Sequence, residues 1–402
     1  MESGENTNTL TPRPHALRHG KATKQDSRRS NLRTTLELVS NHGETSRAEI
    51  SRQTGLTRAA VSSLVAELID QGLLRELGQG ESAGGKPPTL LALNDRGRDI
   101  VAVDLGDRPF RAALFDLSGR IHERARAPRS GSGRFPTGER ARRQTVELIG
   151  SLLERAAAPV LGIGVGTPGV VDASGTVVEA ANLDWHGRDL ATDLEREFGV
   201  PVSIANDAQI AALAELRRRP ENQRNLVLVK VGWGVGAGVI INGRLHRGDH
   251  AAAGEIGHLQ VAADGEKCLC GNRGCLETVA GVPAILRRIG VDPERHPWDA
   301  LALAGLAGEE PVRRALAEAG RSLGTVLATM VSALDVSNIV LASELQNAGD
   351  VLAEEVLGEV SRRVLPATAH LVSVEVTPLG ADLVLAGAAS AVLGDRLGVV
   401  LR

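Results

Sequence analysis

The three cysteines of this 402-residue chain all lie within eight consecutive positions, 268 to 275. They are Cys268, Cys270 and Cys275, and His258 precedes the first of them by ten residues. Three thiolates and one imidazole form a complete tetrahedral ligand set for zinc, with no open position for a metal-bound water. The spacing therefore predicts a structural zinc ion that clamps the loop 258–275. Two alternatives stay open, namely plain buried cysteines and a redox-active Cys-x-Cys pair.

The composition is that of an ordinary globular protein, with 42% hydrophobic and 24% charged residues and a net charge of −3. No apolar run approaches the roughly 20 residues of a membrane span. The polar N-terminus argues against a secretory signal peptide. A clustered, odd set of cysteines indicates a reducing compartment and no disulfide framework. We therefore expect a cytoplasmic protein of two or three domains, with no membrane partner.

The segment 29–95 has the pattern of a winged helix-turn-helix. Three short helical patterns run from Asn31 to Gly72, and Ser46 and Thr57 are suitable N-caps for the second and third. A helix, a tight glycine-containing turn and a second helix form the layout of a DNA-reading motif. Two short apolar strands then flank a glycine-rich tip and complete a wing. The alternative that stays open is a three-helix domain that does not bind DNA.

The third helical pattern and the wing tip carry side chains suited to DNA. Short or donor-bearing side chains fit major-groove edges and phosphates, and a lysine at the wing tip could reach a phosphate or the minor groove. These candidates are Arg58, Ser62, Ser63 and Lys86. A basic arm, residues 1–28, precedes the module and is expected to be disordered. It could add phosphate contacts to double-stranded DNA.

The remainder, residues 98–402, alternates strands and helices. Ile100–Asp104 starts a predicted β-meander, and further strands and helices recur towards the C-terminus. Such alternation predicts an α/β architecture. About 300 residues are expected to divide into two lobes with a cleft between them.

Six motifs of this region occur in an order that closely resembles the ROK family, which holds bacterial sugar kinases and the repressors related to them. They are Asp104-x-Gly106, Gly166-Thr-Pro-Gly169, Asn206-Asp207-Ala208, Gly232-x-Gly234-x-Gly236-Ala-Gly238, Gly254-Glu-Ile-Gly-His258 and Cys268-x-Cys270-Gly-x-x-Gly-Cys275-x-Glu277. With a winged module in front, the chain resembles the transcriptional regulators of that family. The resemblance implies a two-lobed actin- or hexokinase-like (ribonuclease H-like) domain. It also implies a homodimer or homotetramer on a two-fold symmetric operator.

The resemblance further implies a sugar site. The residues that match the sugar ligands of ROK kinases are Asn206, Asp207, Glu255, His258 and Glu277, and Gly169 is expected to line the same pocket. Carboxylates and amides pair well with vicinal hydroxyls. One nitrogen of His258 would bind zinc and the other would face a sugar hydroxyl. The expected effector is a sugar or a sugar phosphate.

Asp207 matches the catalytic base of the kinases, but the nucleotide side departs from the family pattern in three loops. In the first loop, Asp107 stands where the family has a glycine. Pro109 follows two positions later and has no backbone N–H. Trp233 replaces a threonine in the second. The third loop reads Ala342-Ser343-Glu344 where the family has paired glycines. Added charge, added bulk and a lost N–H donor disfavour phosphate binding.

We therefore expect a sugar-responsive DNA-binding regulator that represses genes of carbohydrate uptake and catabolism. It would be no enzyme, would not bind ATP, and would keep Asp207 as a sugar ligand. Two alternatives stay open. One is an active sugar kinase with a DNA-binding head, and the other is a regulator that reads DNA without responding to a ligand.

Overall fold

The structure is a computed structural model of the chain, which describes residues 24–81, 87–106, 109–128, 136–220, 222–293, 309–343 and 349–399. Three residues that the sequence singled out, Lys86, Asp107 and Glu344, lie outside the described residues. Residues 1–23 of the basic arm do as well.

The N-terminal part is a winged helix-turn-helix. Its elements are α1 (Lys24–His42), β1 (Thr45–Ser46), α2 (Arg47–Thr54), α3 (Arg58–Asp70), β2 (Leu74–Gln79) and β3 (Thr89–Leu93). The strands form an antiparallel sheet in the order β1-β3-β2. Both predicted N-caps are present, because Ser46 accepts a hydrogen bond from the Glu49 amide and Thr57 accepts one from the Ala60 amide. The predicted fold of this module is thus confirmed, and β1 is a strand that the pattern did not reveal.

The first helix begins earlier than its apolar pattern indicated. The pattern starts near Asn31, whereas α1 begins at Lys24, inside the arm that was expected to be disordered. Arg28 of this added part donates from Nε to Glu67 Oε2 of α3 over 3.0 Å. Residues 24–28 are therefore helical, and the prediction of a disordered arm is wrong for them. The added first turns of α1 contact α3 through polar side chains. An apolar sequence pattern does not detect such contacts.

The rest of the described chain forms two lobes with the same strand order. The first sheet contains β4 (Asp99–Asp104), β5 (Arg111–Asp116), β6 (Ile121–Arg126), β7 (Val160–Thr167) and β11 (Val202–Asn206), in the order β11-β7-β4-β5-β6. The second contains β12 (Leu226–Val231), β13 (Val235–Ile241), β14 (Arg244–His246), β15 (Asn338–Ser343) and β16 (Ser373–Val376), in the order β14-β13-β12-β15-β16. Each sheet thus begins with an antiparallel meander and then adds two parallel strands. This repetition confirms the two-lobed α/β fold. A small sheet of β8 (Val170–Val171), β9 (Val177–Ala180) and β10 (Trp185–Arg188) adjoins the first lobe.

The helices complete a layered structure. They are α4 (Gly138–Leu153), α5 (Leu190–Phe198), α6 (Asp207–Arg218), α7 (Glu277–Ala280), α8 (Val282–Arg288), α9 (Glu310–Leu334), α10 (Gly349–Arg363), α11 (Pro366–Ala369) and α12 (Leu383–Leu397). Within the described ranges, no helix combines the length and apolarity that crossing a bilayer requires.

Strand alternation explains the layers. In β4, Ile100 and Ala102 face a core shared with α6 and α12, whereas Val101 and Val103 face a second core with α4 and α5. The strands of the second lobe alternate in the same way between the shared core and a third core with α9 and α10. Successive strand side chains point to opposite faces, so each sheet is buried on both sides. Helices α6 and α12 therefore lie between the two sheets.

The shared core extends into the winged module. Leu36 and Val39 of α1 belong to the same buried cluster as Leu393 and Val399 at the end of α12. A polar contact reinforces this junction, because Arg98 Nε, just before β4, donates to the Gln71 carbonyl of the winged module over 2.8 Å. The winged module is therefore packed directly against the end of the helix that lies between the two sheets.

Candidate functional site

A cleft lies where the two lobes meet, and all six residues predicted for sugar binding line it. They are Gly169, Asn206, Asp207, Glu255, His258 and Glu277. The space between the lining residues is about 540 Å³ when the open mouth of the cleft is included. The first lobe contributes the β7–β8 turn and the junction of β11 with α6. The second lobe contributes the β12–β13 loop and the segment around a short 3₁₀ helix, Ile256–His258.

Asn206 is held by hydrogen bonds on both sides of its amide. It is the last residue of β11 and the N-cap of α6, where Oδ1 accepts from the Gln209 amide over 3.0 Å. Its Nδ2 donates to the Gly169 carbonyl over 2.9 Å and to Glu255 Oε1 over 3.2 Å. These bonds hold the side chain in one orientation, with its amide nitrogen bonded to two residues that line the cleft.

The backbone around Gly254 brings Glu255 to Asn206. Gly254 has φ of +99°, and a Cβ at this position would lie 1.9 Å from the Ala237 carbonyl oxygen. Only glycine fits such a conformation so close to β13. Burial raises the pKa of Glu255, His258 opposes that rise, and the charges of Asp207 and Glu277 add to it. A carboxyl that retains its proton more readily can donate to a sugar hydroxyl as well as accept from it.

Asp207 is paired with a lysine that sequence reasoning had not singled out. Lys230 of β12 donates from Nζ to Asp207 Oδ2 over 3.0 Å, and both side chains are largely buried. The other carboxylate oxygen of Asp207 accepts from the Ala208 amide over 2.8 Å. The signal that could have revealed Lys230 is a charge inside the otherwise apolar strand Leu-Val-Leu-Val-Lys-Val. A lysine in a buried strand requires a partner.

A second carboxylate beside the cleft is paired in the same way. Asp104, at the end of β4, is fully buried and accepts from Arg111 Nη2 over 2.8 Å and from the Gly106 amide over 2.9 Å. Both aspartates of the motifs that resemble the kinase loops thus have internal cations as partners. Trp233 of the second loop lines the same cleft as the predicted sugar ligands.

The four predicted metal ligands converge. The ligand atoms of His258, Cys268, Cys270 and Cys275 all lie within 4.8 Å of one another. Cys270 Sγ is 3.8 Å from Cys275 Sγ, and Cys268 Sγ is 3.6 Å from His258 Nδ1. Zinc bonds of about 2.3 Å to sulfur and about 2.0 Å to nitrogen give tetrahedral edges of about 3.8 Å and 3.5 Å. The donor set and its spacing therefore fit a zinc ion.

The metal cluster and the cleft share side chains. His258 turns Nδ1 towards Cys268, while its Nε2 lies 3.8 Å from Glu255 Oε2. Cys268 Sγ donates to Glu277 Oε1 over 2.7 Å. Burial raises the pKa of the Cys268 thiol, and the bond to Glu277 raises it further. A metal that binds Cys268 must displace the thiol proton. Glu277 would then lose the hydrogen bond from Cys268, and its carboxylate could accept one from another donor.

Three of the four candidate DNA-contacting residues lie on α3. Arg58, Ser62 and Ser63 are exposed on α3, while the opposite face of the helix is buried in the core. Ser63 Oγ accepts from Arg28 Nη2 over 3.4 Å. Arg28 therefore adds a cation beside the exposed face of α3.

Comparison with known proteins agrees with this architecture. The family model described as "ROK family" matches residues 100–394, and the one described as "MarR family" matches residues 34–82. The chain belongs to the ROK family. A putative xylose repressor of Caldicellulosiruptor sp. strain Rt8B.4 is 33% identical over 386 residues, which cover 90% of this chain and 95% of the relative. The N-acetylglucosamine repressor of Escherichia coli O157:H7 is 30% identical over 358 residues, with 84% and 86% covered.

Solved ROK structures show the same fold. A ROK family transcriptional regulator, a homologue of the E. coli MLC protein, aligns with a TM-score of 0.77 at 22% identity, covering 92% of this chain and 96% of its own. A ROK family glucokinase from Streptomyces griseus, in complex with glucose and AMPPNP, aligns with a TM-score of 0.62 at 27% identity. That alignment covers 72% of this chain and 98% of the kinase. The ROK fold therefore accommodates both repressors and kinases.

Proposed function

We propose that this ROK protein is a sugar-responsive transcriptional repressor of carbohydrate uptake and catabolism genes, acting in the cytoplasm. The observation that carries the proposal is the single buried core that joins the winged module to the cleft-forming helices. A regulator needs such a connection between its DNA-reading surface and its effector site, whereas a kinase does not. The similarity to xylose and N-acetylglucosamine repressors over most of the chain supports the same function.

The proposed effector site is the cleft between the lobes. Its lining combines amide donors with carboxylate acceptors, the set that pairs with vicinal hydroxyls. Asn206 and Glu255 reach it from opposite lobes, so a sugar that contacts both would favour one relative position of the lobes. Such a ligand changes DNA binding only to the extent that it binds the two states unequally.

Zinc has a structural role in this proposal, with one ion held by His258 and the three cysteines. The ion would supply no chemistry to the sugar. His258 would be oriented through Nδ1, leaving Nε2 for the cleft, and the turn before Glu277 would be clamped. The metal thereby braces two of the proposed sugar ligands.

The connection to DNA would run through α6 and α12. Asn206 and Asp207 form the start of α6, and Arg217 near its end donates from Nη1 to Ser390 Oγ of α12 over 3.0 Å. The C-terminal end of α12 packs on α1. A shift of α6 on sugar binding would therefore move the surface on which the winged module sits. In a homodimer or homotetramer this would change how two recognition helices match a two-fold symmetric operator.

A sugar kinase with a DNA-binding head is the second candidate, favoured by the presence of Asp207 and the likeness to a glucokinase. Against it, Lys230 already engages the Asp207 carboxylate, which would have to accept the proton of the attacking hydroxyl. A coupled assay of ADP release with a panel of hexoses separates the two. Sugar-dependent turnover that disappears in Asp207→Asn would establish the kinase.

The proposal itself is tested with DNA that the protein selects from a random pool. Binding of a labelled selected fragment is followed by fluorescence anisotropy while xylose, glucose, N-acetylglucosamine and their phosphates are titrated. At least one of these compounds should weaken DNA binding, by a coupling free energy of about 1–3 kcal/mol. Analytical ultracentrifugation with and without DNA gives the oligomeric state. Failure to select any DNA, or DNA affinity that no sugar changes, would refute the proposal.

A further inference from the structure

The pair formed by Lys230 and Asp207 has a consequence for the choice of effector. We propose that Lys230 makes the cleft selective for an unphosphorylated sugar, because the ion pair binds a free hydroxyl and leaves no room or charge for a phosphate ester. This inference rests on the proposed sugar response and specifies its ligand class.

The first support is the space around the ion pair. A Cβ on Gly106 would lie 2.1 Å from Asp207 Oδ2 and 3.1 Å from Lys230 Nζ. The two charged groups therefore pack directly against the backbone of the loop that follows β4. A hydroxyl can approach the pair from the cleft, but a phosphate group with three further oxygens would have to displace it.

The second support is charge. Among the described residues that line the cleft, the carboxylates are those of Asp207, Glu255 and Glu277, while Lys230 is the one lysine or arginine. Lys230 offsets the Asp207 charge at hydrogen-bonding distance, so the cleft lining offers a phosphate no further lysine or arginine among the described residues. A phosphate dianion would lie beside the Glu277 carboxylate without a cation to neutralise it, and repulsion between like charges is strong where contact with solvent is limited.

The third support is the match of donors and acceptors. An ammonium donates, a carboxylate accepts, and a hydroxyl does both. A sugar hydroxyl beside the pair could donate to Asp207 and accept from Lys230 at once. A phosphate ester at that position is an acceptor only, so it would lose the bond to Asp207 and leave a buried carboxylate poorly paired.

Calorimetric titration of the full-length, zinc-loaded protein tests the inference. The probes are xylose, glucose and N-acetylglucosamine, each compared with its 1-phosphate, and for the two hexoses also with the 6-phosphate. A free sugar should bind, and each of its phosphates should bind about tenfold more weakly or worse. A phosphate that binds more tightly than its parent sugar overturns the inference and leaves the proposed sugar response intact. If none of the compounds binds, the sugar response is refuted and the inference with it.

Two variants assign the selectivity to the pair. In Asp207→Asn the ammonium is no longer neutralised, so the ratio of free-sugar to phosphate affinity should fall by about tenfold or more. In Lys230→Met, which removes the ammonium and keeps an unbranched side chain, free-sugar affinity should fall and phosphate affinity should not rise. Circular dichroism spectra and thermal unfolding of both variants report whether the fold is intact. An unchanged affinity ratio in folded Asp207→Asn protein would show that Lys230 does not set the preference.

Discussion

Asn206 and Glu255 belong to different lobes and are joined across the cleft by a hydrogen bond of 3.2 Å from Nδ2 to Oε1. Asn206 ends a strand of the first lobe and caps α6. Glu255 follows the second meander, at a backbone position that requires glycine before it. Two proposed sugar ligands therefore also form a direct contact between the two lobes.

Replacing Asn206 should affect stability and sugar binding separately. Asn206→Ala removes the N-cap of α6, which costs about 0.5–2 kcal/mol of unfolding free energy, and it also removes the donor that faces the cleft. Asn206→Asp keeps a capping acceptor but not the donor. We expect denaturant unfolding to show a smaller loss for Asp than for Ala, while calorimetry shows weakened sugar binding in both. Wild-type sugar affinity in either variant would contradict the proposed role of the amide.

Loss of one metal ligand should abolish sugar response before DNA binding. Cys270→Ser is expected to lower the zinc content, measured by plasma mass spectrometry, from about one ion per chain to near zero. His258 and Glu277 would then lose their orientation, whereas the winged module lies in a different part of the fold. Anisotropy titrations should show DNA binding that no longer responds to sugar. If DNA binding vanishes as well, the zinc supports the whole fold.

The predicted DNA contact of Arg58 can be tested by the salt dependence of DNA affinity. Arg58→Ala removes an exposed cation at the start of α3 and should weaken DNA binding. If Arg58 contacts a phosphate, the slope of log affinity against log salt should decrease in magnitude by about 1. Arg314→Ala is the matched control, because Arg314 is exposed on α9, outside the winged module. Equal effects of the two variants would assign the loss to net charge alone.

The coupling path can be weakened without touching either binding surface. Arg217→Met removes the bond between α6 and Ser390 of α12 while keeping an unbranched, buried side chain. Burial lowers the pKa of Arg217, the direction expected for a charge removed from water, and an apolar replacement of a buried charge is often tolerated. We expect wild-type sugar affinity and wild-type DNA affinity, but a smaller effect of sugar on DNA binding. An unchanged sugar effect would exclude this contact from the path.

Much of the site could be predicted because its motifs are short and local. The predicted ligands from His258 to Cys275 lie in one loop, and their types suit a tetrahedral zinc ion. The caps at Ser46 and Thr57 likewise act on backbone groups three residues away. Metal-ligand spacing and helix capping depend on residues that are close in the chain, so both can be predicted from the sequence without knowledge of the fold.

The helix α12, which lies between the two sheets, was not predicted. α12 reads Leu-Val-Leu-Ala-Gly-Ala-Ala-Ser-Ala-Val-Leu over most of its length, with apolar or small residues on every side. A helix buried all round has no polar face and therefore no helical period in its sequence. Only the tertiary structure shows its position between the two sheets, in one buried cluster with residues of α6 and α1.

The sequence by itself determined the classes of the parts, namely a winged helix-turn-helix, a two-lobed ROK domain and a set of three cysteines and one histidine suited to zinc. The tertiary structure decided which groups meet. It brought Lys230 of β12 to Asp207 of α6, Asn206 to Glu255 across the lobes, and the end of α12 to the winged module. The physical reason is that strand and helix periodicity specifies which face of an element is buried, but not which distant element covers it. A lysine in a buried strand signals only that a partner exists, and the packing of the two lobes selects Asp207 as that partner.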